Sequence, residues 1–346
     1  MAAQLQPPPN GRGGRLTLKR GFLLGKFMPL HSGHLFMIRV AEQLVDQLSV
    51  LVCARECEPI DGKLRLKWVR ESVGRNTDVL YWGDDVPQEP SEHPEFWSIW
   101  RRLILDCHPE NIDIVFGSEP YIARLAYELG AEPHFVDPAR ETVPISATAI
   151  RENPALNWSF IAPAAREHFQ KRICILGPES VGKSEMSKHL ASIFATQYIP
   201  EYGRTYDQFR LKDVPWVPGD FISLIKGHNA VRSVIAREAG PVVIEDTDGF
   251  QTLVWAEHLT GNVPEELKQQ VSQSRLADLY LLLKPDVPWV DDGTRYSGQQ
   301  ETRDWFFTQL EGLLKQDGAN YRIISGTSWE DRNALAAKAV ASLIAN

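Results

Sequence analysis

The sequence predicts an α/β protein built from two successive units, each carrying a mostly parallel sheet. Apolar runs of strand length alternate with segments whose apolar residues recur every three or four positions. This alternation breaks once, at a stretch bearing Pro154, Trp158 and Pro163, and then resumes. Length agrees: 346 residues exceed the usual single domain, and 43% hydrophobic with 24% charged residues suits an ordinary buried core.

Taken in order, residues 1–20 hold Pro7, Pro8, Pro9, Gly11, Gly13, Gly14 and several basic groups, with no apolar stretch among them, and read as a disordered tail. In a first unit, residues 21–152, strands are expected at 21–24, 48–53, 79–81, 112–116 and 133–136, with helices over 35–44 and 64–73. Residues 153–170 read as a linker or packed interdomain segment. In a second unit, residues 171–346, strands are expected at 172–176, 198–199, 242–246, 279–283 and 321–324, with a helix over 185–194. The two halves show no internal repeat.

Composition narrows the function classes. Lys and Arg number 37 against 45 Asp and Glu, a net charge of −8, which argues against a surface that wraps nucleic acid. Small anions need only a local cluster of positive groups and amides, so they remain compatible. Cys53, Cys57, Cys107 and Cys174 form no CxxC pair, which disfavours a zinc or disulfide framework and suits a reducing cytoplasm. No run reaches the roughly 18 apolar residues of a membrane span. A homo-oligomer is compatible with all of this.

Gly177-Pro178-Glu179-Ser180-Val181-Gly182-Lys183-Ser184 fits the phosphate-loop pattern G-x-x-x-x-G-K-[ST], set between an expected strand and an expected helix. Glycines let the backbone curl so that its N–H groups, with the helix N-terminus, face phosphate oxygens. Lys183 can reach the outer phosphates and Ser184 can hold Mg²⁺. The apolar run 242–246 ends in carboxylates, where such enzymes place an acid that organises Mg²⁺ or accepts a hydroxyl proton; Asp246 and Asp248 are candidates, although Asp248 also suits a helix cap. A later segment from Trp289 through Asp291 to Arg295, followed by Arg303, could close over ATP, or be a charged surface loop. These features describe a kinase or an ATPase, with a small-molecule kinase favoured because the unit is short.

In the first unit, Gly25-Lys26-Phe27-Met28-Pro29-Leu30-His31-Ser32-Gly33-His34 joins the first strand to the first long helix. Gly33 permits close approach of a ligand to the backbone, and both histidines fall at the helix amino end, where anions are favoured. They could hold the phosphates of ATP and stabilise charge on leaving pyrophosphate; packing or capping within the turn is the plainer role. No third ligand completes a metal site from the His-x-x-His spacing. Farther on, Ile145-Ser146-Ala147-Thr148-Ala149-Ile150-Arg151 places two hydroxyls and a guanidinium at a helix start, able to cap it and to contact phosphate.

These two segments together, with Phe116-Gly117-Ser118-Glu119 between them, resemble the HxGH nucleotidyltransferase superfamily. The order of all the pieces, including Glu201-Tyr202-Gly203-Arg204, Glu245 to Asp248 and Pro288 to Gly293, resembles the bifunctional nicotinamide-nucleotide adenylyltransferase/ribosylnicotinamide kinase family of the NadR type, over about residues 20–340. The resemblance implies a Rossmann-like nucleotidyltransferase domain followed by a P-loop kinase domain. It implies that the second phosphorylates nicotinamide riboside and the first joins the resulting mononucleotide (NMN) to ATP, giving NAD and pyrophosphate.

It further implies roles by position. Lys26, His31, His34 and Arg151 would be catalytic in the first domain, with Gly25, Phe27, Gly33, Gly117, Ser118, Ser146 and Thr148 around ATP. In the second, Lys183 and Asp246 would be catalytic, Gly177, Glu179, Ser180, Gly182, Ser184, Arg295 and Arg303 would bind ATP, and Ser184 with Asp246 would hold Mg²⁺. Glu201, Tyr202, Arg204, Asp248, Trp289 and Asp291 would meet the kinase substrate. Some members carry an amino-terminal helix-turn-helix; only about twenty residues precede the first expected strand here, too few for that module. Two alternatives stay open: another HxGH transferase fused to a different nucleoside kinase, and an NAD-sensing regulatory protein. Trp68, Trp97, Trp100 and Trp216 could stack on the nicotinamide ring or serve as core.

Overall fold

The computed structural model describes residues 18–211, 213–289 and 299–344. The tail reading for residues 1–17 and the readings for Asp291 and Arg295 lie outside the described residues. The chain divides into two compact units, Met1–Ala165 and Arg166–Asn346.

In the first unit, β1 (Arg20–Gly25), β2 (Gln47–Cys53), β3 (Thr77–Trp82), β4 (Ile114–Gly117) and β5 (Glu132–Phe135) form one sheet in the order β3-β2-β1-β4-β5. Every pairing is parallel. The central strands are buried on both faces, which is why they read as unbroken apolar runs: Leu48 through Cys53 are all buried. Pro133 sits in β5 at the sheet edge, where a missing N–H is tolerated. Helices α1 (Ser32–Leu44), α2 (Gly62–Arg70), α3 (Phe96–Cys107) and α4 (Tyr121–Leu129) make the crossovers, and α5 (Ala147–Glu152) follows β5. On one face, Phe22, Leu51, Val115, Trp100, Leu103, Ile104, Ile122 and Leu125 form a shared core.

Residues 153–170 are a packed segment. Ile161 and Ala162 are buried, Ile161 pairs with His31, and α6 (Pro163–Phe169) follows.

The second unit contains β6 (Lys171–Leu176), α7 (Lys183–Ile193), β7 (Tyr198–Ile199), α8 (Tyr202–Phe209), α9 (Pro218–Glu238), β8 (Val242–Asp246), α10 (Gly249–Thr260), α11 (Glu265–Ser272), β9 (Leu279–Leu283), α12 (Gln300–Gln316), β10 (Tyr321–Ile324) and α13 (Trp329–Ile344). Its sheet runs β10-β9-β6-β8-β7, again all parallel. Apolar clusters cover both faces, one around Phe221, Phe250, Tyr280 and Leu310, the other around Ile173, Leu190, Ile244 and Val340. In both sheets the strand order reverses beside the first strand, and in such sheets ligands bind beyond the carboxyl ends of the strands at that reversal. The two nucleotide motifs follow β1 and β6.

Candidate functional sites

The first site begins at the end of β1. Phe27 adopts φ of 49°, and its buried ring meets His34 edge-on at 5.0 Å between centroids. A Cβ on Gly25 would lie 3.2 Å from that ring, so the glycine leaves the space the phenylalanine occupies. His31 caps α1: its Nδ1 accepts from the Gly33 and His34 amides at 3.2 and 3.4 Å. The imidazoles of His31 and His34 stack at 3.7 Å. Burial, with the nearby Arg140 guanidinium, lowers His31 to about 4, and burial together with His31 and Arg140 lowers His34 well below the usual histidine range. Both rings are therefore neutral near pH 7. Because Nδ1 of His31 accepts, its proton resides on Nε2, leaving a hydrogen-bond donor and not a cation.

Positive charge comes from elsewhere. Lys26 is exposed and pairs with Glu58 at 3.0 Å. Arg65, a fully buried residue that sequence reasoning missed, donates to Lys26 O at 2.8 Å, Cys53 O at 3.3 Å and Glu58 at 2.7 Å, fixing the β1 loop from beneath. Arg151 donates to Met28 O and, at 3.1 Å, to the Thr148 hydroxyl, so α5 is tied to the same loop. Ser146 caps α5 through Ala149 N at 3.2 Å; of the two hydroxyls, it takes the cap and Thr148 serves Arg151. Gly117 ends β4, and a Cβ there would lie 2.4 Å from Ile122. Ser118 donates to Val136 O at 2.6 Å. Beside this loop lies an apolar cavity lined by Lys26, Cys53, Phe96, Trp97, Trp100 and Tyr121. Trp68 and Trp100 are core residues, and Trp100 Nε1 donates to Pro87 O at 2.9 Å.

The second site follows β6. Gly177 has φ of 151° with Leu283 O only 2.9 Å from an ideal Cβ, and Gly182 has φ of 83° with the Trp329 ring 2.3 Å from one. Neither position accepts a side chain without displacement. Lys183 begins α7, is buried, and its Nζ donates to Pro178 O at 2.9 Å, closing the loop on itself. Glu179, Ser180 and Gly182 line the cavities on either side of Lys183. Arg332, also fully buried and not foreseen, donates to Val181 O at 3.2 Å and to Asp286 at 2.6 Å, staples that hold the loop to α13.

Asp246, at the end of β8, lines one cavity with Ser184, Lys183, Glu201 and Arg204. Burial, then Glu201, raises it to about 6, while Lys183 and Ser184 act in the opposite sense. Its Oδ1 is buried with no hydrogen-bond partner, an oxygen that fits a hard cation better than a closed protein site. Among the described residues no cluster of three or more His, Cys, Asp or Glu forms a metal cage. One carboxylate and one hydroxyl instead suit Mg²⁺ delivered with a nucleotide.

The adjoining cavity is lined by Glu201, Arg204, Trp216, His228, Thr247 and Trp255, among others. His228 sits between it and Glu245, to which it is hydrogen-bonded at 2.9 Å. Glu245 also accepts from Arg172 at 2.6 Å; burial pushes this carboxyl up, but Arg172 and His228 hold it far below the usual range.

Three expected contacts fall elsewhere. Asp248 caps α10 through Phe250 N at 2.9 Å and accepts the Tyr280 hydroxyl at 2.8 Å, so its two oxygens are committed inside the core. Tyr202 packs against α9, where a Cβ on Gly227 would lie 2.3 Å from its ring, and it does not line the cavity. Arg303 is buried in α12 and donates to Val287 O at 3.0 Å, anchoring the chain that follows β9. Trp289 lies farther along that segment, with Nε1 buried.

Fold and sites define a two-domain nucleotide-binding protein, a nucleotidyltransferase-like domain joined to a P-loop domain. Residues 22–153 match the cytidylyltransferase-like family, and residues 172–332 match an AAA domain family. The chain is similar to NadR across both domains. It is 28% identical over 332 residues to the trifunctional NAD biosynthesis/regulator protein NadR of Escherichia coli strain K12, covering 90% of this chain and 80% of that one. A nicotinamide-nucleotide adenylyltransferase from Saccharolobus solfataricus is 27% identical over 158 residues, 42% of this chain and 86% of that protein. A crystal structure of NadR in complex with NR superposes with a TM-score of 0.72 at 25% identity, covering 94% of this chain and 96% of the other. A second, with NAD and AMP-PNP, shares the fold with a TM-score of 0.70 at 24% identity, covering 95% and 97%.

Proposed function

We propose that the second domain transfers the γ-phosphoryl group of ATP to the 5′-hydroxyl of nicotinamide riboside, and that the first joins the resulting NMN to a second ATP, giving NAD and pyrophosphate. The carrying observation is that an HxGH turn and a phosphate loop each follow the first strand of a parallel sheet, in a chain similar to NadR over 90% of its length. No described helix is long and apolar enough to cross a membrane.

In the kinase step, the hydroxyl oxygen attacks the γ-phosphorus and ADP leaves. Loop amides and Lys183 hold the phosphates, and Asp246 stands where it can orient a metal or receive the hydroxyl proton. Mg²⁺, held by Ser184 and Asp246 with the nucleotide, would spread phosphate charge. Trp216, Trp255 and His228 form the walls against which the riboside would lie.

In the adenylyl step, a phosphate oxygen of NMN attacks the α-phosphorus, the bond to the α–β bridging oxygen breaks, and pyrophosphate departs with that electron pair. No covalent enzyme intermediate is needed. Nε2–H of His31 and the neighbouring His34 would donate to the triphosphate, with Lys26 and Arg151 supplying charge. Purified protein given ATP, Mg²⁺ and nicotinamide riboside should release ADP, NMN and then NAD; release of neither ADP nor NAD would overturn the assignment.

A further inference from the structure

One side chain of the kinase cavity carries a buried polar atom that the fold leaves unpaired. Along α10, Gln251, Thr252, Trp255 and Leu259 all line this cavity, together with Ser180 and Lys183 of the phosphate loop. Residues four apart share a helix face, so Gln251, Trp255 and Leu259 form one stripe along the cavity. Gln251 is only 2% exposed. Its Oε1 accepts from the amide of Gly177, the first residue of the phosphate loop, at 3.4 Å. An N–H can face only an acceptor, so this contact fixes which way the side-chain amide is turned. Nε2 is left buried with no hydrogen-bond partner. The hydroxyl of its neighbour Thr252 is already used, donating to Asp248 O at 3.3 Å.

Buried donors are nearly always paired, and an exception on a cavity wall calls for a ligand atom. We propose that Gln251 is a specificity-determining residue of the phosphoryl transfer, its Nε2–H donating to a ribose hydroxyl of the acceptor.

The order of groups along α10 selects the ribose. Gln251 stands at the end of the stripe tied to the phosphate loop, and Trp255 follows one turn farther, about 6 Å along the axis. A riboside whose 5′-hydroxyl meets the γ-phosphoryl group has its sugar beside the loop and its planar ring beyond. The sugar therefore falls against Gln251 and the ring against Trp255. A hydroxyl suits the exposed half of the amide, because it accepts from an N–H while donating its own proton elsewhere. A site that hydrogen-bonds a substrate hydroxyl rejects the analogue lacking it, since the buried donor is then unpaired again.

The inference rests on the kinase reading, and one assay set separates the two. Wild type, Gln251→Met and Gln251→Ala are compared on nicotinamide riboside and on its 2′-deoxy and 3′-deoxy analogues, with KM for ATP measured alongside. Methionine keeps the length of the side chain and its helix preference but removes the donor. Wild type should lose about tenfold or more in kcat/KM on one of the two deoxy analogues. Gln251→Met should raise KM for the riboside by about tenfold, leave KM for ATP within threefold, and treat that analogue and the riboside alike to within twofold. Adenylyl transfer from ATP to NMN should stay within twofold, as a check on folding. Wild type that phosphorylates no riboside overturns the kinase reading and this inference with it. Wild type that turns over but discriminates against neither analogue overturns the role of Gln251 alone. So does a methionine variant that keeps the discrimination, or one in which only KM for ATP rises, which would make the residue a tether for the loop. If Gln251→Met does not fold, the alanine variant decides by the same comparison of analogues.

Discussion

His31 can be separated into its two roles by paired substitutions. As the cap of α1 it accepts from two amides at 3.2 and 3.4 Å, long contacts that put it in the lower half of the usual cap range, about 0.5–1 kcal/mol. Its ring is 6% exposed and stacks on His34 at 3.7 Å, so truncation also forfeits packing worth about 1 kcal/mol. His31→Ala should then cost about 2 kcal/mol, a fall in melting temperature of about 4–8 °C for a unit of this size. Asparagine is among the best caps, so His31→Asn should recover the capping part and stand several degrees above the alanine variant. Neither variant retains a donor where Nε2 lies, and each should lose about 100-fold or more in kcat for adenylyl transfer. Calorimetry and a coupled assay of NAD formation read the two effects. An asparagine variant with near wild-type kcat would show that the ring is only a cap; an alanine variant as stable as wild type would show that the cap contributes nothing.

The same residue predicts an acid limit. With the folded pKa at about 4 and the unfolded value near 6.5, the unfolded chain binds the extra proton between those pH values. Stability from this group is complete above about pH 6.5 and is lost as pH falls towards 4, by up to about 3 kcal/mol. His31→Asn should flatten that dependence, measured as melting temperature from pH 7.5 to 4.5. Lys183→Ala should abolish riboside phosphorylation and leave adenylyl transfer, while His34→Ala should do the reverse; loss of both activities in a folded single variant would refute separate sites, as read by ADP and NAD release. Arg172→Met would leave Glu245 buried without its main counter-charge and should destabilise the second unit by about 3–5 kcal/mol, seen as an earlier unfolding transition.

Much of the architecture is written in local pattern. Central strands such as β2 and β9, buried on both faces, appear as uninterrupted apolar runs, and each nucleotide motif sits directly after a strand. Expected strands fall within two or three residues of the observed ones; 112–116, for instance, is Ile114–Gly117 in the fold. The phosphate loop and the HxGH turn are contiguous, so each could be recognised from the sequence alone.

What depended on distant partners could not be read in this way. Arg65, Arg172 and Arg332 look like surface charge in the sequence, yet all three are buried, because carbonyls and carboxylates from distant segments converge on them. Asp248 and Arg303 carry functional residue types in suggestive places, but the fold spends them on Tyr280 and on Val287 O. The sequence by itself determined two parallel α/β units and the two phosphate cradles, because periodicity and backbone-permissive glycines act locally. Only the tertiary structure decided that His31 caps α1 and stacks on His34, and that burial keeps both rings from taking up a proton, because burial and stacking depend on segments brought together by chain closure.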